Sequence, residues 1–485
     1  MQPHDPTGHP RRLLVRAMAA LLLLAPQARA DAPAGAGAGL VLPSDPVLAG
    51  LLEQSLAARP ELRQADAAAR AERERIPQAG ALPDPVLTLG IQNDGFGEIM
   101  VGKMETSFYQ VMVSQGLPWP GKRGLRTDVA RLAADEAGAS LSRARLTTEA
   151  DVRRAYLDLL LARDRLDLLA RLEGIWTTSA GFARSRYESG EGAQSDVLRA
   201  QLELNRLRQR RFGLEAQERT AVQTLNRLRG SPVDEPIPTS TSVRDLTLPE
   251  LPAVDAALAD ALARSPELAQ ARLGSARAEK SVALARRERF PDLSVNAGVM
   301  PRGQLEPMWL ASVSIGLPVW SHRKQNRAVA ESAARAEAGA SAAQAIEQVL
   351  RLRVAERRTA YAAVADTARL FREGLLVQSR ATAESTLAQY RVGKVTFASV
   401  LEANAGYVAD EDGFLGAVAE AQRIAIGEAE VSLDPVGAPG AGGAMATGGV
   451  PGAGAAGGGG AGVASAAAAP SAAAASSSGS MTSGM

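Results

Sequence analysis

The chain has 485 residues, 46% of them hydrophobic but only 4% aromatic, and a formal charge of +1. The absence of cysteine excludes disulfides, thiolate metal sites and a cysteine nucleophile. A charge this close to zero excludes recognition of nucleic acid by bulk electrostatics, and the scarcity of large rings leaves Ala and Leu to fill the interior.

Residues 1–30 read as a signal peptide. Arg11, Arg12 and Arg16 precede an apolar run from Met18 to Ala25, and Ala28-Arg29-Ala30 supplies an A-x-A cleavage site. The run is shorter than the roughly 20 residues a spanning helix needs. A linker over 31–45 follows. A helix is predicted over about 46–76, then strands near 86–93 and 107–115. Helices over about 121–188 and 194–229 come next, separated by a tight turn. The pattern then restarts, with a helix over about 254–289, strands near 292–300 and 308–317, and helices over about 321–391 and 397–431. The tail 434–485 is nearly all Gly, Ala, Ser and Pro, a composition predicted to be disordered.

The restart is a repeat. Pro60-Glu61-Leu62 returns as Pro266-Glu267-Leu268, and Pro83-Asp84 as Pro291-Asp292. Gly116-Leu117-Pro118 returns as Gly316-Leu317-Pro318, and Ala155-Tyr156 as Ala360-Tyr361. Tyr187-x-x-Gly190 returns as Tyr390-x-x-Gly393. The match in order makes 46–250 and 251–433 two copies of one unit. A helix of some 68 residues is about 100 Å long and must pack against other rods, as in a coiled coil.

The strands alternate. Leu87, Leu89 and Ile91 oppose Thr88, Gly90 and Gln92, and Leu293, Val295, Ala297 and Val299 oppose Ser294, Asn296 and Gly298. Two readings fit: a small half-buried sheet, or strands of about nine residues that cross a bilayer at a tilt. In the second, four strands cannot close a barrel, so several chains must share one. Trp119, Lys122 and Arg123 follow the second strand, and Trp320, Arg323 and Lys324 follow the fourth. Such rings and cations suit a membrane–water interface.

On these residues the chain resembles the TolC-like outer-membrane factors over about 46–433. The stretch Gln115-Gly116-Leu117-Pro118-Trp119-Pro120-Gly121-Lys122-Arg123 is similar to the heavy-metal-efflux branch. The resemblance implies a mostly α fold with β: a duplicated helix–β-hairpin–long helical hairpin unit. It also implies a homotrimer with a twelve-stranded outer-membrane barrel continued by a helical barrel in the periplasm. The partners implied are outer-membrane lipid, a periplasmic membrane-fusion adaptor and an inner-membrane pump of the RND type. The function implied is a passive exit duct, for metal cations first and drugs second. A type I secretion duct and a soluble periplasmic coiled-coil scaffold or adaptor are the alternatives.

The resemblance puts Tyr187, Gly190, Tyr390, Gly393 and Lys394 at periplasmic hairpin tips that meet the adaptor. The family's two lumenal acids fall on Ser399 and Glu402, so one is missing or shifted, and its gate arginine falls on Val395. In the first turn the corresponding acid is Asp196, which equally suits the first turn of a helix as a dipole partner. No catalytic residue, cofactor or metal-ligand set is read from the sequence; His322 is the one histidine beyond the leader.

Overall fold

A computed structural model describes residues 45–435. The predicted signal peptide, the linker up to residue 44 and the tail from residue 436 lie outside the described residues. Helices α1 (Pro46–Ala58) and α2 (Pro60–Gly80) lead to strands β1 (Val86–Gln92) and β2 (Phe108–Leu117). The long α3 (Lys122–Glu188) and α4 (Gln194–Arg229) follow. After a connector come α5 (Val254–Arg264), α6 (Pro266–Arg287), β3 (Leu293–Arg302) and β4 (Leu305–Ile315). The chain closes with α7 (Gln325–Leu370), a π-helical turn Phe371–Leu375, α8 (Leu376–Arg391) and α9 (Phe397–Ala429). No helix among the described residues is long and apolar enough to cross a membrane.

Two predicted helices are each split in two, and proline is the reason. Arg59 and Ser265 precede Pro60 and Pro266 and are extended, at ψ 121° and 115°. The proline ring disfavours helical backbone at the preceding residue, yet it suits the first helical position. The repeated Pro-Glu-Leu triplets are therefore helix starts. The predicted helix over 321–391 begins late, at Gln325, because 319–324 forms successive turns. It is also widened once by the π turn, whose Phe371 packs on the central core.

The rods meet through a seven-residue stripe. In α3 every seventh residue from Ala134 to Ala183 is buried: Ala134, Leu141, Thr148, Ala155, Ala162, Leu169, Trp176 and Ala183. In α4 the same spacing buries Ala200, Leu207, Leu214, Ala221 and Leu228. In α9 it buries Phe397, Asn404, Glu411, Val418 and Ala425. A straight helix drifts about 20° per heptad, so a stripe kept over several heptads implies left-handed supercoiling. Small Ala alternating with Leu and Trp lets neighbouring rods approach closely.

The core is thickest at mid-height. There α1 supplies Leu48 and Leu51, and the connector supplies Ile237, Val243 and Leu246. Both pack against α3, α4 and α9. The duplicated tyrosines tie these segments down. Tyr156 donates to Asp45, just before α1, and Tyr361 donates to the Pro249 carbonyl, before α5.

The end of α9 is held by arginines. Arg264 donates to the Ala429 carbonyl, Arg143 to those of Glu430 and Val431, and Arg353 to that of Leu433. Arg154 pairs with Glu430 and Arg358 with Glu428. Cations at a helix C-terminus are favourable, because its last carbonyls are unpaired and the dipole is negative there. Val431 sits at φ 54°, unfavourable for a β-branched residue, inside this clamp.

Removing a stripe side chain leaves a cavity that the rods cannot close. Leu214→Ala is expected to cost about 2–4 kcal/mol, and Arg210→Ala, on the exposed face, within about 0.5 kcal/mol. Amide hydrogen exchange along α4 measures both.

Candidate functional site

Three regions carry the residues singled out from sequence: the sheet, its junction with the rods, and the far ends of the helical hairpins.

The two hairpins form one sheet in the order β1-β2-β3-β4, antiparallel throughout. The register aligns every apolar set. Leu89 faces Val111, Val111 faces Val299, and Val299 faces Trp309. On the other face Ser114 stands across from Asn296 and Asn296 from Ser312. These polar groups are connected: Ser114 Oγ donates to Asn296 Oδ1 at 2.6 Å, and Asn296 Nδ2 to Ser312 and Ser314 at 3.2 and 3.1 Å.

Apolar side chains on the first face are open to their surroundings, with Leu89 69% and Trp309 78% exposed. Along β2 and β3 the polar-face residues are the less exposed of each alternating pair. The sheet thus curves around its polar side. The reading of a small half-buried sheet does not hold for the described residues, none of which covers the apolar face. The outer strands β1 and β4 each have one unpaired edge.

At the junction, Trp119 stacks on Phe290 with ring centroids 5.5 Å apart, and its amide donates to Asp292 Oδ1 at 2.8 Å. Lys122 Nζ donates to the same oxygen at 2.8 Å and is only 4% exposed. The sequence places Lys122 at a membrane interface as a head-group cation; instead it is buried against Asp292. Asp292, at the start of the second hairpin, draws it inward, and the pair fixes the first rod to the second hairpin. Arg123 is exposed and donates to the Gly80 carbonyl at 2.8 Å. Trp320 (71% exposed), Arg323 and Lys324 project outward.

At the hairpin ends, Gly190 and Gly393 take φ of +80° and +72°, which side-chain-bearing residues rarely adopt. The amides of Glu191 and Gly192 fold back to the Arg186 carbonyl, and Lys394 N–H to that of Gln389. The two tyrosines are not equivalent. Tyr187 is half-exposed, whereas Tyr390 is 2% exposed and packs on Phe397 at 5.3 Å. The difference comes from Arg186, which sequence reading missed. Its Nη1 donates to the Tyr390 carbonyl at 3.0 Å and its guanidinium lies 5.2 Å from the Tyr390 ring. Arg391 covers Phe182 in the reverse sense, at 4.4 Å. The signal was an arginine adjoining each tyrosine, once before it and once after.

Asp196 lies in the first turn of α4, close enough to Tyr390 to push its hydroxyl pKa up, after burial itself. Ser399 has a local role: Thr396 caps α9 by accepting from the Ser399 amide, and their hydroxyls are 3.1 Å apart. Glu402 is exposed and has no ion-pair partner among the described residues. Val395 packs into the hairpin core. No hydrogen bond or ion pair joins Asp196, Ser399 and Glu402 among the described residues.

A buried polar group deeper in the hairpins was not legible from motifs. Glu411 of α9 pairs with Arg244 of the connector and accepts from Tyr407 at 2.8 Å. Burial pushes the Glu411 carboxyl up, but the Arg244 and Tyr407 hydrogen bonds outweigh it and hold the pKa below the usual carboxylate range.

Comparison with known proteins decides the family. The model of the outer membrane efflux protein family matches residues 51–231 and 257–425, well over half of the chain. The chain belongs to this family. Its members are transport ducts and not enzymes. Among solved structures it is similar to the outer-membrane channel OprN, at 23% identity and TM-score 0.66, over 80% of this chain and 90% of that one. It is similar to VceC of Vibrio cholerae at 16% identity and TM-score 0.68, over 80% and 97%. It is similar to CusC at 16% identity and TM-score 0.66, over 80% and 92%. Identities this low establish a shared fold. No curated protein matches the sequence.

Because the folded pKa of Glu411 lies below its unfolded value, the Arg244 pair contributes stability that is complete above the unfolded pKa. That stability is lost as pH falls through the folded pKa. Glu411→Gln is expected to cost about 2 kcal/mol at neutral pH. The difference from wild type should be intact above about pH 5 and shrink as pH falls below the unfolded carboxylate range. Denaturant titration across that range checks the sign.

Proposed function

We propose that three copies of this chain close one twelve-stranded barrel in the outer membrane. Their rods continue it into a helical tube, the exit duct of a tripartite efflux system. The observation that carries the reading is the sheet. It has an uncovered apolar face, a concave polar face and two open edges, and it is connected to rods about 100 Å long. Lipid cannot satisfy unpaired backbone groups, so the edges β1 and β4 must pair with other copies. Three copies of four strands make a barrel wide enough for an aqueous lumen. The apolar faces then meet lipid and the Ser–Asn network lines the passage.

The rods support the same assembly. A groove of about 430 Å³ beside α3, α4 and α9 is floored by Ala155, Ala162, Ala216 and Ala221, with Arg423 at its edge. Small residues there admit a neighbour's helix. In this reading the duplicated unit supplies two similar hairpins per copy, so three chains give a pseudo-sixfold wall. The signal peptide over 1–30 delivers the chain to the envelope. Trp320, Arg323 and Lys324 sit at the lipid boundary. The hairpin ends around Gly190 and Gly393 face the adaptor and the inner-membrane pump. Three copies of Asp196 and of Glu402 bring negative charge to the narrow end, which favours cations in transit. The Gln115–Arg123 stretch favours metal cations as cargo.

The absence of native cysteine makes the edge pairing testable. Cysteine pairs placed along β1 and β4, starting from Leu89→Cys with Val313→Cys, are expected to give oxidised dimers and trimers in the membrane fraction. A chain that stays soluble and monomeric overturns the barrel. For the narrow end, Asp196→Ala with Glu402→Ala is expected to lower cation selectivity in planar-bilayer recordings. Recordings identical to wild type remove both residues from the lumen.

A further inference from the structure

Among the described residues, methionine is confined to the two β-hairpins and their loops. All five methionines between residues 45 and 435 lie at 100–112 and 300–308, in or beside the hairpins, and none of the nine described helices contains one. Methionine is a good helix former, so propensity does not explain its exclusion from the rods.

The sheet register then brings three of the five together. Met112 of β2 stands opposite Gly298 of β3, and Met300 of β3 opposite Met308 of β4. Gly298 and Met300 are two residues apart and share a face, so the three methionines hold direct, i+2 and diagonal positions around Gly298 on that face. The fourth neighbour, across β4, is Leu310.

This is the concave polar face, the one carrying Ser114, Asn296 and Ser312, and not the apolar one. Methionine that merely fills an apolar surface belongs on the other side. Gly298 carries no side chain between these positions, and the backbones are close there. A Cβ would stand 2.8 Å from the Val111 carbonyl oxygen and 3.1 Å from Met112 Cβ. Gln110 Nε2 donates to Met112 Sδ at 3.8 Å, which orients that side chain from the neighbouring position.

We propose that Met112, Met300 and Met308 form a binding site for a soft monovalent cation, copper(I) or silver(I), on the passage side of the sheet. Thioethers are soft, neutral ligands that select such ions over hard divalent ones. Among the described residues no three His, Asp or Glu side chains converge to offer a hard-donor alternative. Neutral ligands also bind without charge pairing, which keeps an ion able to leave, as a conduit requires. The inference rests on the duct reading for its purpose and names the cargo class. The site itself is contained in one copy of the chain.

The test uses full-length protein in detergent with silver(I), which does not change oxidation state. Wild type is expected to retain silver through desalting, and X-ray absorption is expected to show sulfur neighbours. Met112→Leu, Met300→Leu and Met308→Leu, alone and combined, conserve volume. The combined variant is expected to weaken silver binding by at least about tenfold, the loss that even an outer-shell change brings. Met100→Leu with Met104→Leu, in the β1–β2 loop, is expected to leave binding unchanged. Zinc(II) is expected not to compete.

No retention by wild type, retention by oxygen or nitrogen neighbours alone, or equal competition by zinc overturns the site. So does full binding by the combined variant. If the combined variant misfolds, the single variants and the wild-type absorption spectrum still decide. A chain that binds silver but forms no membrane channel sinks the duct and not the site. A chain that conducts but binds no silver sinks the site alone.

Discussion

A four-stranded sheet with one apolar face cannot finish itself. Each interior strand satisfies its backbone on both sides, but β1 and β4 keep one row of amides and carbonyls each without partners. The apolar face, from Leu87 to Ile315, is likewise left uncovered among the described residues. In the proposed duct both deficits are met from outside the chain, by other copies and by lipid. The fold as one chain is therefore a component, and the family to which it belongs supplies the setting in which such a component makes sense.

The rods solve a different problem with the same economy. Over α3 and α4 the contact stripe is kept by small and medium side chains at intervals of seven, which sets distance and supercoil together. Large rings are few: Tyr156 and Phe414 in the central core, Trp176 in the hairpin core, and Tyr390 against Phe397 at its end. This explains a composition poor in aromatics without any loss of core. The charged group in the α9 seam is satisfied by a partner, Glu411 by Arg244, so the stripe can carry a charge at one heptad position.

At mid-height the chain changes direction several times, and here side chains hold backbone. Tyr156 and Tyr361 anchor the segments before α1 and α5, and arginines from α3, α5 and α7 gather the carbonyls beyond α9. Loops cannot be buried with open carbonyls, so a cluster of guanidinium donors is a direct physical solution. The rods above and below can then stay regular because the irregular parts are fastened at one level.

The amino-acid order by itself determined the elements, since their signals are local. Proline starts and glycine turns gave α3 and α4 their ends to within a residue, and two-residue alternation marked all four strands. The same proline rule would have split the helices at Arg59 and Ser265, had the Pro-Glu-Leu triplets been read as helix starts as well as repeat markers. Only tertiary structure decided which side chains meet across long separations. Asp292 turned Lys122 inward from 170 residues away, and Arg186 made Tyr390 buried while Tyr187 stayed open. Strand register assembled Met112, Met300 and Met308 around one glycine. Spacing along a chain fixes the face on which a side chain emerges. The partner opposite is set by packing, which no single segment contains.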